Sequence, residues 1–299
     1  IVATPLGQKG DGTPWAAAQQ SVIIMPDRIR RIGIYGTYSI PPDPTYVQTL
    51  VAGVTSQVMM LATEDFYGNI APILEADLSA DNPRRIRIVS TSTGTVQFAI
   101  GSTSTWTTTE GIAYFRLGDR TTTFYLIDTL ASVRYGVYDT THTLFADTVV
   151  NPGMWTTGIG VYRVIPNVAH HLVVTTPSRR LIAGTTIQFD GTASDTSTMT
   201  VSAKGGPMVI TKNGEPTFAG ITVQIRDEFE NVTISTENIV LSCEVLDSPQ
   251  AYGSIDPSQD LDGAGWTLMT GGGNLLSVLI PAGNDSGTFY YFDTVAGSH

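Results

Sequence analysis

One cysteine, Cys243, stands among 299 residues, so no disulfide can form within the chain. In the run Ile239-Val240-Leu241-Ser242-Cys243 it reads as a small apolar side chain bound for a core. Lysine is confined to Lys9, Lys204 and Lys212, only 14% of residues are charged, and the formal net charge is −11. A surface of that sign excludes a nucleic-acid backbone as partner. No run approaches the ~18 apolar residues that a transmembrane helix needs. The four histidines are His142, His170, His171 and His299, and none lies in a motif that would activate a nucleophile. No Gly-x-Ser-x-Gly elbow and no His-Glu-x-x-His occurs. Gly271-Gly272-Gly273 is not followed by Gly-Lys-Ser/Thr, so it reads as a loop and not as a phosphate cradle. His170-His171 reads as part of the junction before Leu172-Val173-Val174, and because adjacent residues in a strand face opposite ways, the pair is not expected to chelate one metal. No enzyme is expected. The sequence opens on Ile1-Val2-Ala3-Thr4 without a Met, as a chain would after loss of a signal peptide or as a piece of something longer.

What fills the gap is Thr, Ser and Gly, a composition of short strands joined by turns. The chain also repeats itself. Thr123-Phe124-Tyr125-Leu126-Ile127-Asp128-Thr129 recurs as Thr288-Phe289-Tyr290-Tyr291-Phe292-Asp293-Thr294, displaced by 165 positions. Asp65-Phe66-Tyr67-Gly68-Asn69 recurs as Asp227-Glu228-Phe229-Glu230-Asn231, displaced by 162, and Trp106-Thr107 as Trp266-Thr267, displaced by 160. Trp15 and Pro26 match Trp155 and Pro166 at 140, and Ala52-Gly53 matches Ala183-Gly184. Landmarks that keep their order with slowly drifting spacing mark a true repeat. The jump in spacing places an insert at residues 190–219 of the second copy, read as an added β-hairpin around Asn213-Gly214.

The expected fold is all-β: tandem immunoglobulin-like β-sandwich modules, each of seven or eight short strands. Residues 1–25 are expected to be the tail of a preceding module or a linker, 26–162 the first module, and 163–299 the second, with its C-terminal end truncated. Helix is limited to a possible single turn at residues 14–20. Strands are expected at 29–36, 54–63, 86–90, 96–100, 111–117, 123–128, 134–139 and 160–165. In the second module they are expected at 172–175, 185–189, 221–226, 239–245, 275–280 and 288–293.

Candidate sites are few. Asp256, Asp260 and Asp262 lie in Asp256-Pro257-Ser258-Gln259-Asp260-Leu261-Asp262-Gly263, which carries part of a calcium-loop pattern without its terminal Glu; the alternative is a solvated acidic turn. Calcium is the one candidate cofactor. Asp65 and Asp227 read as turn carboxylates capping backbone N–H groups, with calcium at a module junction as the alternative. Asn231-Val232-Thr233 and Asn284-Asp285-Ser286 make Asn231 and Asn284 candidate glycan acceptors. The tryptophans fall into two structural classes by their repeat positions and are not read as a sugar-stacking platform.

Ala52-Gly53, a period-2 strand, Asp65 to Asn69 with its Asp-x-x-Gly-Asn pattern, and Asp293-Thr294-Val295-Ala296-Gly297 together resemble the bacterial immunoglobulin-like repeats of S-layer and other cell-surface proteins. Glu230 departs from the pattern, standing where Gly68 stands in the first copy. The resemblance implies a structural, extracellular protein: a segment of an S-layer or fibre whose partners are neighbouring copies of itself, with cell-wall or surface glycan as a further partner. An adhesin or carbohydrate-binding segment, and a non-catalytic spacer of a large secreted enzyme, are the alternatives.

Overall fold

Alternation decides the strands. In Gly220–Arg226 the side chains of Val223 and Ile225 turn inward and are buried, while Thr222 and Gln224, which alternate with them, are only partly covered. The computed structural model describes residues 2–3, 9–13, 16–39, 43–132, 140–176, 199–200, 209–212, 215–216, 220–248, 250–255, 267–269, 276–293, 295 and 298. Among these the chain is all-β, interrupted by one 3-10 turn at Glu75–Leu78.

The first sandwich has two five-stranded sheets. One runs Arg31–Tyr35, Met59–Glu64, Thr121–Asp128, Val96–Ile100, Thr107–Thr108, antiparallel throughout. The other runs Gln48–Val51, Gly158–Ile165, His142–Thr148, Arg84–Ser90, Glu110–Phe115; its first pair is parallel and the rest antiparallel. Ile86, Ile88, Phe115, Leu144, Tyr162 and Val164 of this sheet meet Met59, Leu61, Phe98, Phe124 and Leu126 of the first in one core. Each such side chain stabilises the fold by about 1.5–3 kcal/mol relative to leaving it in water.

Residues 171–293 repeat the first of these sheets in the same order: His171–Val174, Gly220–Arg226, Ser286–Asp293, Ala251–Ser254, Thr267–Leu268. The register is the repeat. Phe124 opposes Met59 as Phe289 opposes Ile221, Asp128 opposes Val96 as Asp293 opposes Ala251, and Phe98 opposes Thr107 as Gly253 opposes Thr267. A second core forms here around Val223, Ile225, Leu241, Val278, Ile280 and Phe289. Ile239–Cys243 and Leu276–Ile280 pair as Arg84–Ser90 and Glu110–Phe115 do, and they are the two strands described in the opposing sheet.

Several strands differ from expectation. Met59–Glu64 starts five residues late because Val54 N–H closes a turn on the Val51 carbonyl and Gly53 N–H donates to the Asp128 carbonyl. Gln48–Val51 and His142–Thr148 were not anticipated, nor was Ala251–Ser254, whose Ala-Tyr-Gly-Ser lacks β-branched residues. Gly253 is there because a Cβ would lie 2.4 Å from Met269 Sδ. No helical turn includes Ala18–Gln19; these residues pair antiparallel with Val2–Ala3. In the insert, Val209–Lys212 pairs with Met199–Thr200 on one side and Glu215–Pro216 on the other, three strands in place of the expected two. The strands anticipated at 134–139 and 185–189 lie outside the described residues. The last strand of the first sandwich runs to Ile165 and passes directly into Pro166-Asn167.

Candidate functional site: the turn that joins the sandwiches

An aspartate followed four residues later by an asparagine can close a turn on itself, because a carboxylate has four lone-pair positions and a turn leaves N–H groups unpaired. Asp227 does this fully. Its Oδ1 accepts from the Phe229 and Asn231 main-chain N–H groups, and its Oδ2 from the Asn231 side chain and the main chain of Asn167, all at 2.8–2.9 Å. Asp65 does the same with Tyr67, Asn69, the Asn69 side chain and Asp27. Asp27 and Asn167 each follow the matched prolines, so the turn also clamps the entry of its own sandwich. Both carboxylates are fully committed to N–H donors, which is the capping role and leaves no lone pair for calcium. Burial raises the pKa of Asp65, and the donors led by the Asn69 side chain outweigh it, holding the carboxyl below the usual range.

The turn position that favours a left-handed backbone is Gly68 in one copy (φ +86°) and Glu230 in the other (φ +69°). The turn is therefore the same despite the substitution. A Cβ at Gly68 would stand 2.9 Å from Arg31 Nη2. The residue paired with the turn's first strand at that point in the second copy is His171, and Glu230 uses the room to bond it at 3.0 Å.

The 227–231 turn is also the joint. Asn231 Nδ2 donates to the Thr129 carbonyl at 2.8 Å, and Asn231 Oδ1 accepts from Ala131 N–H at 2.8 Å. Asn167 Nδ2 donates to the Ala52 carbonyl at 3.1 Å. The Phe229 ring packs against the first core, filling the space over Gly53, where a Cβ would lie 2.1 Å from Phe229 Cζ. The Ala52-Gly53 turn and the Asp128-Thr129 strand end thus form a socket, and the second sandwich's Asp turn is the plug. Sequence reading found every one of these motifs and missed that they touch; the paired Asp27 and Asn167 positions beside the matched prolines were the available signal.

Above the socket lies a buried polar cluster. Tyr162 donates to Asp128 Oδ2 at 2.7 Å, Ser92 donates to Oδ1 at 3.0 Å, and Ser90 Oγ lies 2.6 Å from the Tyr162 hydroxyl. His142 Nε2 is 3.0 Å from the Leu130 carbonyl and 3.8 Å from Asp128 Oδ2. Both serines are spent on the acid and its tyrosine, and the arrangement ties the socket strand to the opposite sheet. Burial, then the Asp128 charge, pushes the Tyr162 pKa up. Asp293 holds Tyr291 in a like bond at 3.0 Å.

Asp256, Asp260 and Asp262 lie outside the described residues, and so does Trp266. Asn231, a candidate glycan acceptor, is 93% covered and its amide nitrogen is bonded to Thr129 and Asp227; the fold gives it a structural use that a glycan at that nitrogen would break. Asn284 is exposed in the turn before Ser286–Asp293. His170 and His171 are not splayed apart: His170 precedes the strand, so alternation does not apply, and the two Nδ1 atoms are 3.3 Å apart. No group of three His, Cys, Asp or Glu able to hold a metal occurs among the described residues. Cys243 is half-buried at the margin of the second core, and burial raises its thiol pKa. No helix among the described residues is long and apolar enough to cross a membrane.

No known family profile matches the chain, and no curated protein matches it. Among solved structures, domains 4–9 of the surface layer protein SbsC align over 93% of this chain and 33% of that one, at 11% identity and TM-score 0.27. The chain thus spans about a third of that structure. A PapD-like domain of human CEP192 aligns over 51% of this chain and 96% of its own, at 9% identity and TM-score 0.20. Dimeric latent PorU from Porphyromonas gingivalis aligns over 90% and 24%, at 11% identity and TM-score 0.25. Likeness of this order assigns the chain to none of those families.

Proposed function

We propose that this chain is a structural, non-enzymatic segment of a cell-surface or secreted assembly, built from immunoglobulin-like sandwiches and acting by holding its modules in a set orientation. The observation that supports it most is the joint. A flexible tether would leave its N–H and C=O groups to water, whereas here Asn231 and Asn167 bond main-chain groups of the other sandwich and Phe229 is packed against its core. Such a joint transmits orientation from one module to the next. The acidic, lysine-poor surface suits an extracellular setting in which neighbouring copies, and cell-wall or surface glycan, are the partners. The division into modules near residues 162–166 belongs to this reading, as does calcium at Asp256, Asp260 and Asp262. Protease shaving of intact source cells, preferable to lysine labelling with so few lysines, is expected to release fragments of the chain, and electron microscopy of the purified protein to show extended or latticed particles. Complete protection in intact cells would remove the surface reading.

A further inference from the structure

Three positions that differ between the two sandwiches come together in the second. His170, His171 and Glu230 stand where the first has Arg30, Arg31 and Gly68, at the offsets of 140 and 162 that relate the landmarks around them. The backbone frame is the same in both. Arg30 N–H donates to the Glu64 carbonyl as His170 N–H donates to that of Arg226, and Arg31 opposes Glu64 as His171 opposes Arg226. On that frame the first sandwich places an ion pair, Arg31 with Glu64, and the second places two imidazoles. Glu230 Oε1 lies 3.0 Å from His171 Nε2, and His171 Nδ1 lies 3.3 Å from His170 Nδ1. Glu230 reaches His171 from a left-handed backbone at φ +69°, which a residue with a side chain seldom adopts.

A carboxylate that accepts from Nε2–H holds a neutral imidazole with its lone pair on Nδ1, which is how proteins orient a metal-binding histidine. Arg226 steadies that carboxylate: its Nη1 lies 3.7 Å from Glu230 Oε2 and donates to the Glu230 carbonyl at 2.9 Å. Two nitrogens that share a metal at about 2.0–2.1 Å, with a tetrahedral angle between them, stand about 3.4 Å apart. The 3.3 Å between the two Nδ1 atoms matches that separation. We propose that His170 and His171 bind one divalent transition-metal ion through their Nδ1 atoms, with Glu230 as the positioning residue behind His171 and water completing the coordination. Without an ion, His170 Nδ1–H donates to His171 Nδ1; the ion takes the place of that proton, which moves through water to His170 Nε2. Imidazole donors select Zn2+, Ni2+ or Cu2+, and not Ca2+ or Mg2+, which take oxygen. His170 is exposed and the His171 side chain is 32% exposed, so an ion has a way in. The Asp227 carboxylate takes no part, since its lone pairs are spent on N–H donors. The site lies beside the joint, between Asn167 and Asn231 in the fold, yet it goes beyond the structural role proposed above and does not depend on it.

Isothermal titration calorimetry of the 299-residue chain with ZnCl2, and separately with NiCl2, in a non-chelating buffer at neutral pH tests it. The wild type is expected to bind one ion per chain with micromolar affinity. His170→Gln and His171→Gln should each weaken that binding about tenfold or more. Glu230→Gly keeps both nitrogens, relieves the backbone and should weaken binding about tenfold through loss of the brace alone. None of the three side chains is buried, so the variants should fold, as circular dichroism without metal will show. His299→Gln should leave binding unchanged. Absence of saturable binding up to millimolar metal overturns the proposal. So does binding that survives His170→Gln or His171→Gln, which would assign the ion to other donors, and binding indifferent to Glu230→Gly overturns the part given to Glu230. Any of these failures leaves the structural role standing, since shaving tests that separately.

Discussion

The side-chain amide of Asn231 donates to the main-chain carbonyl of Thr129, 2.8 Å away in the other sandwich. The same side chain accepts from Ala131 N–H, so one residue satisfies a donor and an acceptor that its neighbour's strand end leaves open. Asn231→Ala strands both, and a buried polar group without a partner costs about 1–3 kcal/mol. Calorimetry should show the loss, and amide exchange at Ala131 should quicken. An unchanged Ala131 exchange rate would mean that the joint is not closed in solution.

Gly53→Ala should be more disruptive than its surface position suggests. The residue sits at φ +73° with the Phe229 ring over it. Overpacking of this kind costs about 1–3 kcal/mol, in addition to the backbone strain. Phe229→Ala removes the clash, so the double variant should be less destabilised than the sum of the singles by more than about 0.5 kcal/mol. Additivity in thermal denaturation would place Phe229 elsewhere.

Much of the repeat is legible in the sequence itself. The offsets of 162 and 165 between repeats are the sheet registers, because Asp65, Asp128 and their counterparts sit at strand ends where turn chemistry admits few residues. Ala251–Ser254 was not readable: its place is set by Met269 and the Ser286–Asp293 strand beside it, and its own residues carry no strand signal. Nor was the joint. Asn231 looked like a glycan acceptor because Asn-x-Thr is a three-residue pattern, while its true partners are about a hundred residues away.

The two Asp turns should respond differently to matched substitutions. Gly68→Ala puts a Cβ at φ +86° and against Arg31, and the left-handed region alone costs about 1–2 kcal/mol. Glu230→Gly relieves the same strain but gives up the contacts with His171 and Arg226, so the net change should stay within about 1 kcal/mol. Chemical denaturation of the two variants orders them; equal losses would mean that the turns are not equivalent.

Neither turn should respond to chelation. With every lone pair of Asp65 and Asp227 on an N–H donor, Asp65→Asn and Asp227→Asn should each lower the melting temperature by the same amount with and without EDTA. A loss that appears only in EDTA would place a cation in the turn.

Alkali should find the buried tyrosines. Burial, then the bond to Glu64, raises the pKa of Tyr35; burial and Asp128 raise that of Tyr162; burial and Asp293 raise that of Tyr291. A raised tyrosine favours the folded state fully below its ordinary pKa of about 10, and that contribution is lost as pH climbs toward the folded value. Absorbance at alkaline pH should therefore show some of the 12 tyrosines ionising only as the chain unfolds. One smooth, reversible transition near the ordinary value would contradict the bonds to Asp128 and Asp293.

The strand Gly158–Ile165 is at once the parallel partner of Gln48–Val51 and the segment that becomes the joint. Near its start Thr156 bridges the entry strand, also in parallel, through Ile32 N–H to Thr156 O and Thr156 N–H to Arg30 O. Tension applied along the polypeptide enters near Arg30 and leaves near Pro166, so it slides these parallel contacts past one another and loads their hydrogen bonds together, where a hairpin would unzip one bond at a time. Resistance of this kind is set by the rate of unfolding and not by equilibrium stability. Single-molecule stretching should register a high rupture force for the first sandwich, and a row of such modules would bear load as a cable does, without paying out length until a module gives way.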